Sequence, residues 1–402
     1  MIFAIAERRS APLSRAGRIA EIRSSIFSLR KCDTVRCFQF LFAAAALLLA
    51  GCGGGISPDW TFSADDRIFS TPAVAPDGTI YFGTDGGKIY ALTAGGSEKW
   101  NVAIEYPVRG SPAIADDGTI YIGGHDYFLR SFSLDGEEGW QVEAEGPLSG
   151  AIALDSEGNL YFASENGFVY SVSAVGEPRW KYRARGQIHG SPVIYRDEIL
   201  VFGEVRQRVL ALDLSGREQW VTEVEGPVVA TPAVGENGTV YLGTEAGLFY
   251  AISRTGEILW QFTVEESIGS SAVIRPDRTI VFGAEDSHLY ALDADGRLRW
   301  IYAFSGQLRT SPAVDRRGNL YFGGSDGVFY AVDSEGEELW TAGGSALGFD
   351  SAAVMIPDGS LYIGGRDGKL YSYSAVGASA DEGWPMYRGG SLGRSNSLRI
   401  DK

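Results

Sequence analysis

Tryptophans stand at Trp60, Trp100, Trp140, Trp180, Trp220, Trp260, Trp300 and Trp340, forty residues apart without a slip, and only the ninth, Trp384, is off register. Such spacing comes from a tandem array, so the fold depends on what forty residues can build. Each unit reads alike. A small-Pro-Ala-Val segment leads into a turn such as Pro76-Asp77-Gly78 and the run Thr79-Ile80-Tyr81-Phe82-Gly83. A second turn, the run Lys88-Ile89-Tyr90-Ala91-Leu92, an Asp-x-x-Gly type of turn and the tryptophan segment follow. These β-branched and aromatic runs, bounded by Gly and Asp, are strands, at about 71–75, 79–84, 88–93 and 98–104 in the first unit. Gly78, Gly118, Gly238 and Gly318 sit where a two-residue hairpin wants positive φ. No later segment shows a helical apolar period of useful length.

Four strands per forty residues, repeated eight times, predict an all-β fold, an eight-bladed β-propeller. A lone blade exposes two apolar faces, and stacking around an axis buries them. Each tryptophan is expected to plug a seam between blades, removing about 200 Å2 from water. Sets of three strands begin near Thr71, Ser111, Ala151, Ser191, Thr231, Ser271, Ser311 and Ser351. The last set, ending near Tyr373, lacks an in-register fourth strand, whereas Trp60 lies in a fourth strand without its first three. The N-terminal strand is therefore expected to complete the last blade and remove its open edge. The propeller is assigned to 59–377, and the tail 378–402, with Trp384-Pro385-Met386-Tyr387, is expected to pack over the junction.

Composition narrows the function. With 53 Gly, 12% aromatic and 45% hydrophobic residues, the chain is neither disordered nor collagenous. A net charge of −16 argues against nucleic acid, whose binding requires bases to neutralise phosphates. Cys32, Cys37 and Cys52 are too few for a disulfide scaffold. Phe38 to Ala50 is an uncharged apolar run of thirteen, too short to span a bilayer and suited to a signal peptide, with Arg30, Lys31 and Arg36 before it. Residues 1–51 form the expected signal peptide, with translation starting downstream of Met1, at Val35. The segment Leu49-Ala50-Gly51-Cys52 resembles a lipobox, which implies cleavage before Cys52 and its acylation. Residues 52–58 then serve as a tether, and Gly53 after the cysteine resembles the class sorted to the outer membrane. Eight of the 35 bases and three of the 51 acids lie in residues 1–51, so the remaining chain carries −21. That surface repels anionic lipid and nucleic acid alike.

The pattern Tyr290-Ala291-Leu292-Asp293, then Gly296 and Trp300, resembles the PQQ-like (quinoprotein-like) propeller repeat, and the resemblance covers residues 57–373. No unit has the Gly-His and Trp-Asp pairs of WD40 repeats together: Gly124-His125 stands alone and no tryptophan is followed by Asp. With its acyl anchor, the chain resembles the BamB family of lipoproteins of the outer-membrane barrel-assembly machine. That resemblance implies a non-enzymatic envelope scaffold on the periplasmic face, without cofactor, whose partner is the barrel-insertion subunit. The acidic surface leaves membrane contact to the acyl chains alone and excludes nucleic acid, and a monomeric ring is expected. The alternative is a PQQ- or sugar-binding propeller related to quinoprotein dehydrogenases. Against it, Asp293-Ala294-Asp295-Gly296 is one residue shorter than that branch's usual turn, no vicinal cysteine pair exists, and inserted loops are missing.

Chemical motifs are sparse. Gly389-Gly390-Ser391-Leu392-Gly393 matches a nucleophile elbow without a leading strand, a following helix or a downstream His. Asp293-Ala294-Asp295-Gly296 and Asp333-Ser334-Glu335-Gly336 are too short for calcium loops, and Asn237-Gly238-Thr239 reads as a turn. His125, His189 and His288 fall in different units without metal-ligand spacing, so no metal and no catalytic residue is expected. One ring stands out. The residue two before each first strand runs Phe69, Arg109, Ser149, His189, Val229, Gly269, Arg309, Phe349, while its neighbours stay apolar before and small after. Arg109, His189 and Arg309 are expected to rim the axial channel as a cationic mouth able to hold an anion or a partner's acidic segment.

Overall fold

The computed structural model describes residues 56–374. Within them run thirty-two strands, β1 to β32 in chain order, and no helix. They form eight antiparallel four-stranded sheets arranged as the blades of an eight-bladed β-propeller. The first blade comprises β2 (Ala73–Val74), β3 (Ile80–Gly83), β4 (Lys88–Leu92) and β5 (Glu98–Ala103). Each of the next six blades repeats that order. The eighth is made from both ends of the described chain: β30 (Val354–Met355), β31 (Ser360–Gly364) and β32 (Lys369–Ser374), then β1 (Trp60–Ser63), which pairs Trp60 with Ser372 and Ser63 with Lys369. The N-terminal strand thus closes the ring, as its register indicated.

The second and third strands of each blade are buried on both faces, which is why they read as unbroken apolar runs. The outermost strand alternates, with exposed residues flanking a half-buried tryptophan. The core is a series of clusters, each shared by neighbouring blades; one joins Ala73, Tyr81 and Ile89 of the first blade to Val108, Ile120 and Phe132 of the second. Close approach is set by the glycine that ends most second strands: a Cβ on Gly243 would lie 2.1 Å from a methyl of Ile268 in the next blade.

A belt of hydroxyls surrounds the axis. The amides of Thr71, Ala151, Ser191 and Thr231 each donate to the hydroxyl forty residues later, on Ser111, Ser191, Thr231 and Ser271, at 2.8–2.9 Å. Across the closure, the amide of Ala352 donates to the Thr71 hydroxyl at 3.4 Å.

Two expectations change. The Pro76-Asp77-Gly78 hairpin is a three-residue loop, not a two-residue one: the amide of Gly78 bonds the Ala75 carbonyl and that of Ala75 bonds the Thr79 carbonyl, both at 2.9 Å. Pro76 holds φ negative, which forbids the two positive φ values of a type I′ turn; only Gly78, at +82°, takes the left-handed position. The eight in-register tryptophans, in turn, are half-buried and not fully enclosed. The indoles of Trp60, Trp100, Trp140, Trp180, Trp220, Trp260 and Trp300 each lie against the turn of the next blade. Nε1 of Trp100 donates to the Leu134 carbonyl at 2.9 Å, and that of Trp220 to the Arg254 carbonyl at 2.8 Å. Keeping the polar edge of the ring at the surface is what lets it make this bond.

Candidate functional site: the axial rim

Two sets of loops surround one mouth of the axis: those entering each first strand and the turns between second and third strands. Ile68, Val108, Leu148, Ile188, Val228, Ile268 and Leu308 plug the loops into the core. The next residue is thereby turned outward, and Arg109, His189 and Arg309 are all exposed. An axial cavity of about 150 Å3 is lined by Phe69, His189, Arg309, Thr310, Ser311 and Asp350, among others. His189 and Arg309 therefore meet at one cavity. Arg109 does not line it; its guanidinium sits 5.0 Å over the Phe69 ring, which does.

The charge of this rim differs from the expected cationic mouth. Arg109 makes a two-pronged contact with Asp85 on the preceding blade, Nε to Oδ1 at 2.6 Å and a terminal nitrogen to Oδ2 at 3.0 Å. Arg309 reaches Glu285, again on the preceding blade, at 3.0 Å, and Arg366 reaches Asp350 at 3.1 Å. Hydrogen bonding to Asp85 holds the Arg109 guanidinium above its already high ordinary pKa. Pairing therefore cancels much of the mouth's charge locally. The partner carboxylates occupy the second turn of the preceding unit, twenty-four residues before their arginines in both cases, at two repeat positions whose residue types change from unit to unit. Thr310 Oγ1 and Ser311 Oγ, both buried on the cavity wall, make no hydrogen bond within the protein.

Sequence reading also missed a triplet on this rim. His125 Nε2 lies 2.7 Å from Ser149 Oγ, and that hydroxyl lies 2.5 Å from Glu165 Oε1. The set resembles a nucleophile triad in composition only. The carboxylate accepts the serine proton, so the histidine must supply Nε2–H and cannot act as the base. Burial pushes the His125 imidazole below its ordinary value of 6.5, which favours that neutral donor form. The triplet joins the second and third blades, much as the arginine–carboxylate pairs join others.

The quinone cofactor associated with this repeat is a planar, fused-ring tricarboxylate. A cavity of about 150 Å3 is below the ~300–1,000 Å3 usual for such ligands, and Arg309 is already occupied by Glu285. These residues do not fit it. Among the described residues no group of three or more His, Cys, Asp or Glu is placed to hold a metal ion. The turns Asp293–Gly296 and Asp333–Gly336 commit their first carboxylate to backbone amides: Asp293 Oδ1 accepts from residues 295 and 297, and Asp333 Oδ1 from residues 335 and 337. Cys52, the signal peptide, the tail and Gly389–Gly393 lie outside the described residues.

A second cavity, of about 310 Å3, lies between the first turns of the first two blades. Ala75, Ala115 and Leu134 give it apolar walls, and Asp77 and Asp117 stand at its edge.

A search of the curated proteins finds no match. Among solved structures, BamB from Moraxella catarrhalis superposes with a TM-score of 0.68 at 17% identity, covering 79% of this chain and 99% of its own. The computationally designed Ika8 protein gives 0.67 at 16%, covering 78% and 99%. Sqt1 of Saccharomyces cerevisiae gives 0.71 at 14%, covering 80% and 99%. At such identities the likeness shows the fold alone, and three proteins so different in origin share it. The family model described as outer membrane protein assembly factor BamB, built on the PQQ-like repeat, matches at residues 57–133, 125–253, 205–293 and 245–383. Those matches span most of the sequence, and the chain belongs to this BamB family of PQQ-like repeat propellers.

Proposed function

We propose that this chain is a non-enzymatic scaffold of the bacterial cell envelope, acylated at Cys52 and held at the periplasmic face of the outer membrane, where it serves the assembly of outer-membrane β-barrel proteins. Family membership is the observation that carries this reading, since it supports a protein-interaction role. The lipobox-like Leu49-Ala50-Gly51-Cys52 supplies the address. The rim contributes as well. A face of Arg109–Asp85 and Arg309–Glu285 pairs, with His189 between the arginines in sequence, suits a protein loop of mixed charge better than a small anion. Any contact there adds to the affinity only where it improves on the pair already made.

The test is a crosslinked pull-down from membranes through a C-terminal tag, read by mass spectrometry. Recovery of the barrel-insertion subunit is expected, reduced in an Arg109→Ala/Arg309→Ala double variant and displaced to the soluble fraction with Cys52→Ala. Recovery of no envelope protein overturns the reading, and unchanged recovery by the double variant removes the rim from it.

A further inference from the structure

The outermost strand of each blade ends its sheet, so one of its edges presents amide and carbonyl groups that no strand of that sheet pairs. Side chains on these strands differ around the ring. On the first four blades the exposed positions carry Lys99, Glu138, Pro178, Lys181 and Glu218, the charges and proline that discourage edge pairing. On the fifth, sixth and seventh they carry Ile258 and Leu259, Leu298 and Ile301, and Leu339, each 45–53% exposed. The fifth blade is the extreme case. Its outer strand, β21 (Ile258–Thr263), contains no charged residue and no proline. Exposed glutamates bracket it: Glu257 before, Glu265 and Glu266 after.

One outer edge already takes a single-residue contact. Ile56 forms a parallel bridge with Ala342 in β29 (Glu338–Gly343), the outer strand of the seventh blade. On β21 itself the exposed aliphatic side chains are two, Ile258 and Leu259, far less than the few hundred Å2 of a large apolar patch. A stable dimer face needs about 800 Å2 from each partner, so side-chain burial against a second copy falls short. An added strand makes up the difference with main-chain hydrogen bonds. The amide of Val264 bonds the Gly247 carbonyl, and the period of two in an antiparallel ladder then turns the amides and carbonyls of Gln261 and Thr263 toward the free edge.

We infer that the free edge of β21 receives an extended protein segment, apolar at alternate positions and flanked by Lys or Arg, as a fifth strand of the fifth blade. The apolar positions lie along Ile258 and Leu259, and the basic flanks answer Glu257 at one end and Glu265 and Glu266 at the other. The inference rests on the scaffold reading for its biological meaning, and its chemistry can be tested apart from it.

The probe is a fluorescein-labelled peptide, Lys-Lys-Val-Thr-Val-Thr-Val-Lys-Lys, compared with one whose central valine is proline. The first is expected to bind the purified propeller by anisotropy and the proline peptide at least tenfold more weakly. Leu259→Lys should weaken binding at least tenfold, and Gln261→Pro, which removes an outward amide, should do the same. Because proline at 261 risks unfolding the blade, Leu259→Lys, at an exposed position, suffices alone. Hydrogen–deuterium exchange should slow across residues 257–264 on binding and stay unchanged across residues 137–144 of the second blade. Equal binding of the two peptides, indifference to Leu259→Lys, or protection elsewhere overturns the inference. So does a dimer in light scattering, or co-sedimentation with phosphatidylethanolamine–phosphatidylglycerol vesicles, that Leu259→Lys abolishes, because a second copy or a lipid surface then covers the edge. If the peptide fails while the envelope partner is still captured, the edge is wrong and the scaffold stands. If the peptide binds but no envelope partner is captured, the edge stands and the scaffold falls.

Discussion

Glu204 has no exposed surface, yet it is a carboxylate in a position that other blades fill with Thr, Ser, Gly or Ala. Its oxygens are fully used. Oε1 meets Arg208 Nε at 2.5 Å, and Oε2 accepts the amides of Arg185 and Gly186, each at 3.0 Å. A buried ion pair adds little stability relative to an apolar replacement of both partners, but removing one partner strands the other charge. Glu204→Ala is therefore expected to destabilise the protein by about 3–5 kcal/mol in urea unfolding, and Glu204→Ala/Arg208→Met to recover part of that loss. The local reason for the pair is that it ties the loop entering the fourth blade to that blade's own hairpin. A sequence shows Glu204 and Arg208 four residues apart, but it gives no sign that both point inward between two buried strands.

At the scale of the element, tryptophan and glycine share one function. Gly256, at φ +89°, ends the turn whose Arg254 carbonyl accepts the Trp220 indole, and a Cβ at Gly256 would lie 3.0 Å from that ring. The fixed Trp-to-Gly spacing of thirty-six residues is thus a contact between successive blades. Because the ring is half-buried, Trp220→Ala is expected to lose about 2–3 kcal/mol, below the ~3–5 kcal/mol of a fully buried core aromatic. Gly256→Ala is expected to lose about 1–3 kcal/mol through its left-handed φ and its clash. The double variant should lose clearly less than the sum, since both changes break one contact. Additive losses in a thermodynamic cycle would show that the glycine serves its turn alone. The blades, their order and their closure were legible because each rests on a pattern of forty. The rim was not, because the acids that pair with Arg109 and Arg309 sit at a position whose residue type changes from unit to unit, and a spacing of twenty-four does not by itself announce a contact between blades. Half-burial of the tryptophans was missed for a related reason: apolar identity announces contact, whereas the exposed edge of the ring follows from its bond to the next turn.

For the molecule as a whole, stability depends on β1. Trp60 and Phe62 pack on the largest apolar cluster, which joins the seventh, eighth and first blades, and Ser374 Oγ donates to Asp59 at 2.7 Å. Deleting residues 56–63 uncovers the edge of β32 and opens that cluster. The expected result is a melting temperature lower by about 10 °C, with oligomers in size-exclusion chromatography. An unchanged melting temperature would mean that blade packing holds the ring without its latch.

Closure also imposes an order of events. The bond from Ser374 to Asp59 spans 315 residues, whereas the other outer strands follow their neighbours through short turns. Chain entropy makes the long closure less favourable by about 4 kcal/mol, and slower. Seven outer strands are therefore expected to form before β1 docks, although the Tyr-Ala-Leu strands of several blades offer it nearly the same edge that β32 does. By the time β32 exists, the earlier edges have been taken by their own hairpins. The first strand made finds its place by vacancy, so the ring would accept a unit added or removed in its middle and still shut with the same two ends.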